Sequence, residues 1–327
     1  MRDVSRPKFP ILQVFGSVAF IDDDVDFLDS ASWQVKMLHV SFHSVRSTLE
    51  PVLDRCAQAL DWERNCFLEL ARAQPDFVDR DPVVLGLQYL HDPRRLDVVG
   101  LLVADYAMPG EDGLQLCGRY ALPGMQRMLL TGYASEKDAV QGFNSRLIEH
   151  YIPKHVPWAD KPLEPVLQSQ LAYSCVARSA PLEHCLSDDL KQALADPVVV
   201  SSLRSLLAQQ EVVEYIFLGN PQGLLCATRH GSPLWIQVET HETLGDLAEI
   251  LQGEPESWSD EVLARVKAGE TLVNSEVARR LDLPAVELPA QVLRAAPLVV
   301  AAAFSLAALP ESLHPVRLPR TARPNVE

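Results

Sequence analysis

Apolar runs that stop at polar residues organise the first half of the chain. Residues 17–21 (Ser-Val-Ala-Phe-Ile) end abruptly at three carboxylates, Asp22, Asp23 and Asp24. An apolar run this short, bounded by charge, reads as a buried strand. Val25, Leu28, Trp33, Val35 and Leu38 follow at mixed helical spacing and predict an amphipathic helix. A second strand is expected near Val40–Phe42. The run Val98–Val103 ends at Ala104-Asp105, and turn formers follow it, Met108-Pro109-Gly110 and Asp112-Gly113. Two further runs, Met128–Leu130 and His150–Ile152, lead into Thr131-Gly132 and Pro153-Lys154.

Strands that alternate with helical segments predict an α/β fold, a doubly wound five-stranded parallel sheet with helices on both faces. Ligands of such sheets bind beyond the carboxyl ends of the strands, where these polar residues gather. Leucines at helical spacing over 49–60, 62–73 and 82–90 predict a helical insertion at about 44–95 between the second strand and Val98. A closing helix over about 162–178 and a polar stretch containing Pro181 place a boundary there. The chain is therefore read as a domain over 1–178 and an α+β domain over 179–327.

In the second half, Val212–Leu218 and Leu224–Thr228 flank Gly219-Asn220-Pro221-Gln222-Gly223, a hairpin signal, and Leu234–Val238 adds a third strand. Helical patterns cover 243–251 and 260–267. Three strands with flanking helices loosely resemble a PAS-type sensor or dimerisation fold. The tail from Pro315 holds three prolines and is expected to be mobile.

Composition narrows the function classes. The 327 residues are 47% hydrophobic and 22% charged, the balance of a folded globular chain. A net charge of −15 argues against a chain-wide nucleic-acid footprint, which needs clustered Lys and Arg. The longest apolar stretch, Leu298–Leu309, falls short of the roughly 20 residues that span a bilayer, so no membrane insertion is expected. The N-terminus lacks an apolar signal region, and a cytoplasmic location is expected. Six cysteines show neither a CxxC pair nor zinc spacing, and reduced thiols are expected. No Gly-rich nucleotide loop or nucleophile elbow occurs, so no output enzyme is expected.

The acidic run after the first strand, Asp105-Tyr-Ala-Met-Pro-Gly, Leu130-Thr131-Gly132 and Tyr151-Ile-Pro-Lys154 together resemble the receiver domain of bacterial two-component response regulators. The resemblance covers about the first 175 residues. It implies a flavodoxin-like receiver in which Asp105 attacks a phosphohistidine and becomes an acyl phosphate. It implies Mg²⁺ held by Asp23, Asp105 and the carbonyl of Ala107, with Asp22 acting directly or through water. Lys154 would pair with one phosphoryl oxygen, Thr131 would donate to another, and Tyr151 would be the aromatic switch that responds to phosphorylation. The implied partner is a sensor histidine kinase or phosphotransfer protein, with a homodimer left open.

Each fragment alone has a plainer meaning. A triple Asp can be a solvated turn or a helix cap, the Pro/Gly run a tight loop, and a lone Thr or Lys at a strand end structural. The family's lysine is usually followed by Pro, whereas Lys154 is followed by His155. Lys161-Pro162 has the expected dipeptide but lies beyond Pro157-Trp158, too far from the apolar run. Two other functions stay open. One is a DNA-binding regulator through 275–284, which resembles the opening of a helix-turn-helix carrying Arg279-Arg280, although Pro284 and Pro289 interrupt it. The other is a pseudo-receiver scaffold that binds no phosphoryl group.

Overall fold

The computed structural model describes residues 9–14, 16–35, 39–73, 81–132, 136–154, 163–254 and 258–316. Two compact units emerge, one of Phe15–Arg64 and Pro93–Arg178, the other of the N-terminal segment through Val14, Asn65–Asp92 and Ser179–Arg317.

In chain order the elements begin with β1 (Leu12–Gln13), β2 (Ser17–Ile21), α1 (Val25–Gln34), β3 (Val40–His43), α2 (Arg46–Arg72) and α3 (Pro82–His91). They continue with β4 (Val99–Ala104), α4 (Gly113–Arg119), β5 (Gln126–Thr131), α5 (Glu136–Asn144), β6 (His150–Pro153) and α6 (Leu163–Arg178). The leucine-rich insertion, expected as an extended helix plus one or two more, holds the 27-residue α2 and then α3, and the part of α2 through Arg64 belongs to the first unit.

In that unit a five-stranded parallel sheet has the order β3-β2-β4-β5-β6. β2 and β4 are buried along their whole length, as central strands covered on both faces must be. Their side chains alternate between two cores. Ala19, Ile21, Leu102 and Ala104 pack with Leu49 and Leu53 of α2 and Leu116 of α4. Val18, Phe20, Leu101 and Val103 pack with Leu28 of α1 and Leu163 and Leu167 of α6. Because β3 and β4 lie on opposite sides of β2, the order reverses there, and the crevice opens beyond the ends of β2 and β4. Of the apolar positions assigned to the first helix, Leu28 is buried, Val25 and Trp33 are exposed, and Leu38 lies outside the described residues. At the end of α6, buried Arg178 donates to both oxygens of buried Glu63 at 2.7 Å.

The other unit adds α7 (Asp188–Ala193), α8 (Pro197–Gln209), β7 (Val212–Gly219), β8 (Gln222–Thr228), β9 (Pro233–Thr240), α9 (His241–Gln252) and α10 (Asp260–Lys267). After these come β10 (Thr271–Val273), α11 (Ser275–Arg280), β11 (Glu287–Pro289), β12 (Gln291–Ala295) and β13 (Leu298–Ser305). Its main sheet is antiparallel and six-stranded, in the order β1-β7-β8-β9-β13-β12. The predicted hairpin is present, with Gly219 paired to Gln222 across Asn220-Pro221. The three strands read from the sequence are joined by β1 on one edge, where Leu12 pairs with Ile216, and by β13 and β12 on the other. A two-residue strand gives no local pattern, so β1 could not be read from sequence. The proline-rich tail from 317 lies outside the described residues.

The helix-turn-helix reading of 275–284 is corrected. α11 is followed by a turn, residues 283–286 form no helix, and β11 begins at Glu287. Arg280 is also committed within its own unit, at 2.8 Å from Asp81 and 3.6 Å from Glu276 with its side chain 8% exposed. Of the pair Arg279-Arg280, only Arg279 is exposed. Among the described residues no helix is long and apolar enough to cross a membrane.

Candidate functional site at the carboxyl edge of the parallel sheet

Asp22 and Asp105 directly follow the two central strands, and the ladder runs one residue past each strand end. The Asp105 N–H donates to the Ile21 carbonyl at 2.9 Å, and the Asp22 N–H donates to the His43 carbonyl at 3.1 Å. Both carboxylates are thereby fixed side by side and buried. Asp24 points elsewhere, because it is the N-cap of α1 and accepts from the Phe27 N–H at 3.0 Å. Its own N–H donates to Asp22 Oδ1 at 3.0 Å. Asp23 is exposed between them.

The loop after Asp105 closes tightly over it. Gly113 lets α4 begin against the Asp105 carbonyl, with which a Cβ at 113 would overlap. Asp112 caps α4 by accepting from the Gln115 N–H at 2.8 Å. Glu111 is gripped by Arg46 at 2.8 Å and Arg119 at 2.6 Å. Within the loop, the Ala107 N–H donates to Asp105 Oδ2 at 3.1 Å.

Lys154 completes the cluster from β6. Its ammonium lies 2.6 Å from Asp22 Oδ2, 3.2 Å from Asp105 Oδ1 and 4.4 Å from the centroid of the Phe27 ring. Thr131 ends β5 with its backbone paired to Pro153, and its side chain lies outside the described residues. Tyr151 pairs with Leu129 and packs, partly buried, against the α2/α4 core, as do Tyr106 and Met108. Lys161 lies outside the described residues. The sequence reading passed over Phe27 and the Glu111 grip. An aromatic on the first turn of the helix after the acidic run was the available signal for Phe27.

Burial pushes the Asp22 carboxyl up to about 6, against hydrogen bonds from Lys154 and the Asp24 N–H that pull it down. One carboxylate oxygen each from Asp22, Asp23 and Asp105 lie within 4.8 Å of one another. Asp105 Oδ1 is buried and accepts no aligned hydrogen bond, although the Lys154 ammonium stands 3.2 Å away. Hard oxygen donors with spare acceptor capacity, already drawing an ammonium between them, fit Mg²⁺.

No protein-family model and no curated protein matches the chain. Among solved structures, it is similar to the Legionella pneumophila response regulator LqsR, with a TM-score of 0.66 and 21% identity over 93% of this chain and 92% of that one. It is also similar to a CheY-like response regulator receiver domain protein from Methanospirillum hungatei, with a TM-score of 0.31 and 19% identity over 49% of this chain and 97% of that one. The chain shares its fold with the LqsR structure over nearly the whole length of both proteins.

Proposed function

We propose that the chain is a phosphorylation-dependent response regulator in which Asp105 accepts a phosphoryl group from the phosphohistidine of a sensor kinase or phosphotransfer protein. The observation that carries this reading is the Lys154 ammonium set between the buried carboxylates of Asp22 and Asp105 at the sheet's switch point. An Asp105 oxygen attacks phosphorus, the new P–O bond forms as the P–N bond breaks, and the imidazole leaves with the electron pair. Asp22, Asp23 and Asp105 are the carboxylates that would hold Mg²⁺, with the Ala107 carbonyl as a further ligand. When bound, the cation would neutralise charge on the phosphoryl oxygens.

Lys154 is placed to move from Asp22 to a phosphoryl oxygen once the group is attached, because its flexible stem carries a compact point charge. Thr131, at the neighbouring strand end, is assigned the second donor, and Tyr151 the role of switch. Phosphorylation would then change the contacts that the chain makes with a partner. Incubation with a small-molecule phosphodonor and Mg²⁺, followed by mass spectrometry, tests the reading. One phosphoryl group on Asp105, absent from Asp105→Asn, is expected. Uptake that persists in Asp105→Asn would overturn it.

A further inference from the structure

We infer that Phe27 is a positioning residue for Lys154, its ring face holding the ammonium between Asp22 and Asp105. The inference rests on the reading of Asp105 as the phosphoryl acceptor. An ammonium within about 6 Å of a ring centroid is attracted by the negative face of the aromatic quadrupole. Lys154 Nζ lies 4.4 Å from the Phe27 centroid, and the carboxylates approach the same nitrogen at 2.6 and 3.2 Å. The ammonium is thus enclosed by two anions and one π face, with its side chain 17% exposed.

The ring itself is held. Phe27 sits on the first turn of α1, its N–H bonded to the capping Asp24 at 3.0 Å, and it packs against the core that contains Leu28, Leu163 and Leu167. Its position is set by the same acidic run that supplies Asp22 and Asp23. A lysine stem has four rotatable bonds, and holding it in one arrangement costs entropy that each further contact helps to offset. A hydrophobic wall that also attracts the cation removes the open side and keeps the charge where a phosphoryl oxygen arrives. Leucine at 27 would supply the wall without the attraction. Tyrosine would supply both.

The test uses the full chain with Phe27→Leu, Phe27→Tyr and pentafluorophenylalanine at position 27, the last nearly the same shape but with an electron-poor face. The first readout is the proton shift of the Lys154 ε-methylene, which the ring current should move upfield in wild type and Phe27→Tyr but not in Phe27→Leu. The second is the rate of Asp105 phosphorylation from a small phosphodonor, expected to fall about fivefold in Phe27→Leu and the pentafluoro protein and to stay near wild type in Phe27→Tyr. Mg²⁺ affinity should stay level across the series. Equal phosphorylation rates throughout, or a Mg²⁺ affinity that falls in step with the rate, would overturn the inference alone. A wild-type chain that takes up no phosphoryl group would overturn the acceptor reading and this inference with it.

Discussion

Lys154 leans toward Asp22, at 2.6 Å, rather than toward Asp105, at 3.2 Å. The residue that would bind the phosphoryl group is therefore held mainly by a carboxylate that does not receive it. Asp22 is buried and hydrogen-bonded by its own turn, so the pair is a preformed latch at the strand ends. On the proposed function, an arriving phosphoryl group would compete with Asp22 for this one cation. That competition would give the site two arrangements of nearly fixed groups, which a switch requires.

Beryllofluoride with Mg²⁺, which mimics an attached phosphoryl group, is expected to bind at Asp105 and stabilise the parallel-sheet unit by mass action. A ligand present at about 100 times its Kd contributes roughly 2.7 kcal/mol. Differential scanning fluorimetry should show a rise of several degrees in wild type and none in Asp105→Asn. A shift of equal size in the variant would move the site away from Asp105.

Asp23 and Asp24 are adjacent and both exposed but serve different ends. Asp23→Ala should weaken Mg²⁺ binding by about tenfold or more, since even outer partners of metal sites are worth that much. Asp24→Ala removes the α1 cap and should cost about 1 kcal/mol of stability while leaving Mg²⁺ affinity close to wild type. Isothermal titration and urea denaturation separate the two effects. Equal losses of Mg²⁺ affinity would mean that Asp24 also serves the cation.

Lys154→Ala should retain Mg²⁺ binding, because the carboxylates remain, but fail to couple phosphorylation to the rest of the chain. Amide exchange around Thr131 and Tyr151, with and without phosphodonor, is the measurement. Lys161→Ala should behave as wild type. The reverse outcome would reassign the phosphoryl-binding lysine.

Glu239 in β9 provides a pH prediction for the antiparallel unit. Burial pushes its carboxyl up to about 7 from the usual 4.5, although Gln237 Nε2 donates to Oε1 at 2.8 Å. The folded state therefore binds the proton more tightly than the unfolded state. Stability from this group is fully present below pH 4.5 and is lost as pH rises through about 7. The change is on the order of 3 kcal/mol. Glu239→Gln, which copies the neutral form, should flatten the slope of urea stability between pH 5 and about 8. An unchanged slope would place the titrating group elsewhere.

The amino-acid sequence by itself determined the strands of the parallel sheet and where they stop. The run 17–21 is covered on both faces, and the carboxylates that follow it need polar partners, so Asp22 falls at the sheet's carboxyl edge. The same holds for Ala104-Asp105 after β4, and Lys154 follows the half-buried edge strand β6, which is why most of the proposed site was legible. The tertiary structure alone decided which of these ends meet. Strand order is a matter of pairing between distant segments, and nothing local states that β2 lies between β3 and β4 or that β1 joins a sheet some 200 residues later, where Gln13 pairs with Tyr215. The ring of Phe27 over Lys154 and the capture of Arg280 by Asp81 are contacts of the same kind, in which distant side chains meet only after the backbone has been placed. Local periodicity records which face of an element is apolar, whereas the free energy that selects a neighbour for that face is gained only when the chain has closed on itself.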